Sequence, residues 1–328
     1  MKIAILGMGA VGRGILEMVD GKDLGLTVTG LADSKSALMD KDGIHIEEVL
    51  SAKQERGYCG DKSLSATDIV ERADYDLLIE VTPTDAKTGE PATGFIKKAI
   101  GRGKHVVTSN KGPIALHYAE LQSQARKHRV AVRYEATVGG AIPVMHTLQH
   151  GLAGNRVIAI FGILNGTCNF ILTRMAAEGL TYDQALLEAR EMGYAEADPT
   201  YDVKGIDAAI KLVILSNTIW KRNVKLNDVE ITGIDMLTTD ALRLAEEQHC
   251  TIRLIAEAVP ERGILRVAPR VLPKNHPLVV NGSLNAITIE TDMAGEITLI
   301  GKGAGSRETA SAIIGDVLFI RDAHARGH

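Results

Sequence analysis

The first twelve residues constrain the fold more than any other stretch. Lys2-Ile-Ala-Ile-Leu6 reads as a short buried strand, Gly7-Met-Gly9-Ala-Val-Gly12 follows it without a spacer, and a helix is predicted over residues 11–19. In a strand, glycine turn and helix of this kind each glycine has a task. Gly7 permits the tight turn, Gly9 lets a pyrophosphate approach the backbone, and Gly12 lets the helix pack closely on the strand. Phosphates then sit on the helix N-terminus, against Gly7, Gly9, Ala10, Val11 and Gly12. Glycine-rich turns are common, and the sequel makes this one specific. A second apolar strand, residues 26–32, ends in Asp33, the position about 20 residues on where an acid binds the adenosine ribose. A turn aspartate closing a strand is the competing reading.

Residues 34–68 form a polar excursion with one helix expected over 46–53. Lys35 and Lys41 follow Asp33 closely; a cation there accommodates a 2′-phosphate, whereas Asp33 alone favours NAD, so the sequence leaves NAD and NADP both open. Alternation then resumes as strand 76–81, helix 92–102, strand 105–109, helix 114–128 and strand 130–135. This predicts an α/β unit with a mostly parallel, doubly wound Rossmann-type sheet, whose ligands gather at the carboxyl ends of the strands. Two of those ends are chemically loaded: Thr82-Pro83-Thr84, and Ser109-Asn110-Lys111-Gly-Pro113 with Pro113 as the expected first helical residue. Lys111 is thereby directed toward the nicotinamide half of the crevice, a solvated loop lysine being the other reading.

A chain of 328 residues exceeds one core, so a second domain is expected. Beyond Arg156 the alternation weakens: strand 157–164, turn 165–169, helix 170–177, a helix capped by Thr181 with Gln184 in the capping-box position, and short strands over 252–258, 265–272, 278–280, 286–291 and 297–301. These predict an α+β domain with an antiparallel sheet. The expected boundaries are 1–138 for the dinucleotide-binding domain, 139–300 for the second domain, and 301–328 for a C-terminal helix returning to the first. A formal net charge of -4 gives no footprint for nucleic acid. No apolar run approaches the ~20 residues that span a bilayer, and the early glycines with Arg13 interrupt any leader, so a cytoplasmic protein without a membrane partner is expected. Cys59, Cys168 and Cys250 are scattered, which signals neither a disulfide framework nor a zinc site.

Residues 206–215, Ile-Asp-Ala-Ala-Ile-Lys-Leu-Val-Ile-Leu, are apolar except for Asp207 and Lys211. A helix apolar all round is normally buried, and this spacing puts both charges on one face. They line an internal polar cavity or form an exposed ion pair. Upstream, Tyr134-Glu-Ala-Thr-Val138-Gly-Gly140-Ala-Ile142-Pro143 bends on two glycines; this exposes carbonyls suited to a hard cation, or simply makes a turn before a proline-started helix. His146 and His150 stand four apart, but the metalloprotease pattern needs a Glu after the first His, and Thr147 is there instead.

In combination these motifs resemble the homoserine dehydrogenase family over essentially the whole length. The resemblance rests on Gly7-x-Gly9-x-x-Gly12, Asn110-Lys111, Tyr134-Glu-Ala-Thr-Val-Gly-Gly, Gly162-Ile-Leu-Asn-Gly-Thr167, Gly193-Tyr-Ala-Glu196-Ala-Asp198-Pro199, Asp207-x-x-x-Lys211 and Gly303-Ala-Gly305. It implies reversible NAD- or NADP-dependent interconversion of L-homoserine and L-aspartate 4-semialdehyde, in threonine, methionine and isoleucine biosynthesis. Lys211 resembles the family's proton donor and acceptor, Glu196 the ligand of the substrate ammonium, and Asp207 a support of the same polar site. Lys111 and Thr82 resemble residues beside the nicotinamide, Lys111 counting among the catalytic groups, and Gly305 resembles a late cofactor contact. Glu135 with backbone groups of Val138, Gly140 and Ile142 resembles a structural sodium site. The resemblance further implies a homodimer, with the second sheet as interface, and no appended regulatory ACT domain is expected. Two rival readings are a noncatalytic dinucleotide sensor and a related dehydrogenase acting on another amino acid such as aspartate.

Overall fold

Strand β1 (Lys2–Leu6) runs through the glycine turn into α1 (Ala10–Asp20) in a computed structural model that describes residues 1–325. The chain then gives β2 (Thr27–Ala32), β3 (Ala37–Met39), α2 (Ile46–Arg56), α3 (Ala66–Arg72), β4 (Leu77–Glu80), α4 (Ala92–Gly101), β5 (His105–Thr108), α5 (Lys111–His128) and β6 (Val132–Arg133). The strand order is β3-β2-β1-β4-β5-β6. All neighbours are parallel except β2 and β3. Ile3, Ala4, Ile5 and Leu6 are wholly buried, which is why β1 reads as an unbroken apolar run rather than an alternating one. The order reverses between β1 and β4, the switch point at which such sheets open a crevice.

Three expectations for this unit are corrected. The excursion holds α3, started by a reciprocal capping box in which Ser65 and Asp68 each bond the other's backbone N–H. It also holds the antiparallel strand β3. Strand 130–135 shrinks to β6 because the Thr137 N–H and hydroxyl both bond the Tyr134 carbonyl, at 3.0 and 2.7 Å, winding Glu135–Thr137 into a 3-10 turn. Helix α5 starts at Lys111, not at Pro113, since the Asn110 side chain caps it by accepting the Gly112 N–H at 3.2 Å. Proline is tolerated at the third position because that N–H lacks a helical partner anyway.

A second unit, Val138–Ala304, is set apart from Met1–Thr137 and the chain from Gly305. It contains α6 (Val144–His146), a π turn (Thr147–Gly151), β7 (Val157–Ile163), α7 (Gly166–Glu178), α8 (Tyr182–Glu191), α9 (Thr200–Val203), α10 (Ile206–Trp220), β8 (Glu230–Ile231), α11 (Thr239–Glu247), β9 (Cys250–Val259), β10 (Ile264–Pro273), β11 (Leu284–Thr291) and β12 (Glu296–Lys302). Its sheet runs β12-β11-β7-β9-β10-β8 and is antiparallel except for β8 on β10. No strand forms at 278–280. After Pro277 the Val279 and Val280 N–H groups bond back to the His276 and Leu278 carbonyls, at 2.8 and 3.0 Å, so the segment is a series of tight turns. Leu278 and Val280 are nevertheless buried with Ile163, Ile255 and Ala286, which is why the segment reads as a strand.

The last helix, α12 (Ser306–Ala325), packs on α1 in the N-terminal unit. Among the described residues no helix is long and apolar enough to cross a membrane, and Cys59, Cys168 and Cys250 are free.

Candidate active site

In the N-terminal unit a cavity of about 940 Å³ opens at the carboxyl ends of β1, β2 and β4. Gly7, Gly9, Ala10, Val11, Asp33 and Thr82 all line it. Gly7 has φ +107°, and a Cβ there would lie 2.4 Å from the Val81 carbonyl oxygen, so only glycine makes this turn. Gly12 does not line the cavity; a Cβ on it would meet the Gly7 oxygen at 1.9 Å, and it serves the helix-to-turn packing instead. Gly305 lies next to Ser306, whose hydroxyl donates to the Ala10 carbonyl at 2.5 Å. That bond ties the start of α12 to the glycine turn.

The Asp33 side chain is almost fully buried at the cavity wall. One carboxylate oxygen accepts the Lys35 and Ser36 N–H groups, at 2.7 and 2.8 Å, and the Ser36 hydroxyl at 3.2 Å. The other pairs with Lys53 of α2. Burial pushes the carboxyl up, but the Lys53 ammonium and the backbone donors outweigh it and hold Asp33 below the usual carboxylate range. The cation beside Asp33 is therefore Lys53, a residue the sequence did not single out. Lys35 and Lys62 line the same cavity, whereas Lys41 is exposed and does not.

At the far end of the cavity, Thr82 follows Glu80, which closes β4 and is wholly buried. The Glu80 carboxylate accepts the Thr82 N–H at 2.9 Å, the Thr82 hydroxyl, and the Thr108 hydroxyl at 2.9 Å. Burial pushes the Glu80 carboxyl up, against the pull of those hydrogen bonds. Lys111 is the first residue of α5, directly after the capping Asn110.

In the second unit Asp207 and Lys211 lie on α10, 6% and 8% exposed, with Nζ 2.7 Å from the Asp207 carboxylate. The pair is thus internal, not a surface pair. Lys211 also donates to the Leu164 carbonyl at 2.6 Å. An ammonium has three donors, and the two fixed ones hold the third in a set direction. Two further residues join the cluster that sequence reasoning had not assigned. The Asn165 amide bridges Asp202 at 2.7 Å and Asp207 at 3.0 Å, while its oxygen caps α7 by accepting the Cys168 N–H at 2.9 Å. Burial, then the neighbouring Asp207 charge, raise the Asp202 carboxyl above its ordinary value. Burial likewise pushes the Cys168 thiol well up, so it is an inert neighbour. Glu196 is exposed on the loop between α8 and α9.

The expected cation ligands are split between the units. Glu135 is buried in the N-terminal unit, its N–H on Asp316 at 2.8 Å. Val138, Gly140 and Ile142 belong to the second unit, in a turn closed by the Ile142 N–H on the Gly139 carbonyl at 2.9 Å. Gly140 has φ +56° and a Cβ there would lie 2.6 Å from Gly303 backbone, so the bend requires glycine. His146 and His150 have ring centroids 5.6 Å apart where the helix passes from α to π.

The N-terminal unit thus holds a glycine turn and an aspartate at the end of β2 around one cavity, and the second unit a buried lysine held by one acid and one carbonyl. Residues 7–135 match the family model described as homoserine dehydrogenase, NAD binding domain, and residues 143–318 match the homoserine dehydrogenase model. The homoserine dehydrogenase of Methanocaldococcus jannaschii is 43% identical, over 98% of each chain. The chain belongs to the homoserine dehydrogenase family. Among solved homoserine dehydrogenases, a candidate member from Archaeoglobus fulgidus superposes with TM-score 0.92 and 46% identity, over 98% of this chain and 99% of that one. A hyperthermophilic archaeal homoserine dehydrogenase mutant in complex with NADPH superposes with TM-score 0.86 and 30% identity, over 98% of both. As a homoserine dehydrogenase the chain is an NAD(P)-dependent oxidoreductase acting on a small molecule, and its N-terminal unit is the Rossmann-like sheet that such chemistry requires.

Proposed function

We propose that Lys211 moves the proton in the interconversion of L-homoserine and L-aspartate 4-semialdehyde. The observation that carries this reading is the clamp on its ammonium: Asp207 and the Leu164 carbonyl take two N–H groups and aim the third. In the reducing direction that N–H protonates the carbonyl oxygen as it becomes a hydroxyl; in the oxidising direction the lysine takes the proton back. The nicotinamide, when bound, supplies or accepts the hydride. Asp207 and Asp202 bring negative charge to the substrate ammonium, and Glu196 on its exposed loop completes that recognition. Hydrogen-bonded recognition of this kind discriminates strongly against analogues lacking the amine.

In the N-terminal unit, Gly7, Gly9, Ala10, Val11 and Gly12 form the pyrophosphate turn, Asp33 takes the ribose, and Thr82 and Lys111 flank the nicotinamide, with Gly305 a late contact beside Ala10. Lys53, Lys35 and Lys62 supply cations for a 2′-phosphate, which supports use of NADP as well as NAD. A structural sodium ion on the carbonyl oxygens of Val138, Gly140 and Ile142 would have an all-oxygen set, which suits a hard cation; no chemical step passes through it. The chain works as a homodimer through its second sheet, one face of which carries Phe161, Ile255 and Leu272 around a groove of about 250 Å³. Free cysteines fit a cytoplasmic setting, where the reaction serves threonine, methionine and isoleucine synthesis.

The test is homoserine-dependent reduction of NAD and of NADP by the purified protein. Cofactor binding without turnover would leave a sensor, and faster turnover on aspartate would leave a different dehydrogenase.

A further inference from the structure

We propose that Glu80 is a positioning residue for the nicotinamide end of the cofactor: it holds the Thr82 hydroxyl with its proton turned inward, so that Thr82 offers the cofactor acceptor lone pairs only.

Glu80 is the last residue of β4, wholly buried behind three apolar residues, Leu77 to Ile79, that are equally buried. Core packing at that position calls for another apolar side chain. A carboxylate placed there is costly unless its oxygens are filled. Its partners are hydroxyl and amide donors, and no Lys or Arg is paired with it among the described residues. One oxygen takes both the N–H and the O–H of Thr82. The other takes the Thr108 hydroxyl at 2.9 Å, and the Thr108 oxygen in turn accepts the Asn110 N–H at 2.9 Å. One buried acid thus fixes two strand ends, the Thr82 end of β4 and the Asn110 end of β5 from which α5 and Lys111 begin.

The consequence for the ligand follows from counting protons. A threonine hydroxyl has one hydrogen, and here it is committed to Glu80. What Thr82 presents to the cavity is oxygen lone pairs. Thr82 lines the cavity and Glu80 does not. Strand β4 lies on the opposite side of β1 from β2, which carries the chain to Asp33. With the ribose of the adenosine half on Asp33, the Thr82 end receives the nicotinamide half. The donor that half brings is its carboxamide NH2, and an acceptor-only Thr82 selects the ring face that points this group toward β4. The inference rests on the reading of this cavity as the dinucleotide site.

The experiment compares NAD with ADP-ribose, which lacks the nicotinamide, by calorimetric titration of the full chain. Glu80→Met, which removes both acceptors, is expected to weaken NAD by about tenfold while ADP-ribose binding stays within about twofold. Glu80→Gln keeps one acceptor oxygen and falls between Glu80→Met and the native protein; if the Met variant does not fold, the NAD-specific loss in the Gln variant is the reading. Thr82→Val reproduces the loss, and the double variant loses no more than either single one. Equal weakening of both ligands assigns Glu80 to general structure and overturns the proposal, as does unchanged NAD binding. Failure of the native protein to bind ADP-ribose removes the dinucleotide reading itself, and the proposal with it.

Discussion

An Asp–Lys pair stands in each unit, part-buried in the first and buried in the second, and the two pairs are built in opposite senses. Asp33 and Lys53 come from a strand end and from α2, while Asp207 and Lys211 come from one face of a single helix. In the first, three donors crowd one oxygen of Asp33 and only Lys53 meets the other among the described residues. That leaves acceptor capacity, which suits a ribose hydroxyl. In the second, the lysine is the group held from two sides, by Asp207 and the Leu164 carbonyl. That leaves a donor, which suits a reacting oxygen. On the proposed roles, the same two residue types serve binding in one place and proton transfer in the other, according to which partner keeps a vacant hydrogen-bond position.

The sharpest way to break this contrast is to remove each lysine. Lys211→Met is expected to lower turnover by about 10²–10⁴-fold, the range for loss of a general acid, while cofactor titration is unchanged. Turnover close to that of the native protein would end the assignment. The same variant removes the ammonium paired with the buried Asp207 carboxylate, so denaturant unfolding should show a loss of about 3–5 kcal/mol. Lys53→Met should behave differently, with turnover at saturating cofactor preserved. Its effect is on KM, which should rise about tenfold for NADP and little for NAD, because an unpaired Asp33 repels a 2′-phosphate but still takes a ribose hydroxyl. Equal changes for the two cofactors would separate Lys53 from phosphate recognition.

The contrast also explains which half of the site was legible in the sequence. Asp207 and Lys211 announce themselves because their relation is local: helix periodicity alone puts them together, and the apolar residues around them require burial. The glycine turn and Asp33 are legible because a strand–turn–helix unit fixes the distance between them. Lys53 was missed in favour of Lys35 and Lys41, since nothing local says where α2 packs. Glu80 is not singled out by the sequence, because only the register of β4 on β5 brings Thr108 to it. Asp202 and Asn165 meet only through the placement of α7 and α9 in the second unit. The mostly parallel sheet of the first unit follows from alternation, whereas residues 278–280 mislead because burial and strand conformation are separate properties, and Pro277 begins a turn that keeps the first and abandons the second.

The smallest effect is the most discriminating about environment, because Asp33 and Asp202 are shifted in opposite directions. Asp33 is held below its ordinary value in the fold. Its contribution to stability is therefore fully present above the unfolded pKa of about 3.9 and is lost as pH falls through the lower folded value. Asp202 is raised by burial and by Asp207. Its contribution has the other sign: it is present below about 3.9 and is lost as pH rises through the higher folded value. Urea midpoints followed from about pH 3 to pH 7 should therefore diverge between two variants. Asp33→Asn should flatten the fall in stability on the acid side, and Asp202→Asn should flatten the loss that accompanies ionisation toward neutral pH. If both substitutions flatten the same limb, the two carboxylates share one kind of environment, and the division between an acid held charged for binding and an acid strained by its neighbour fails.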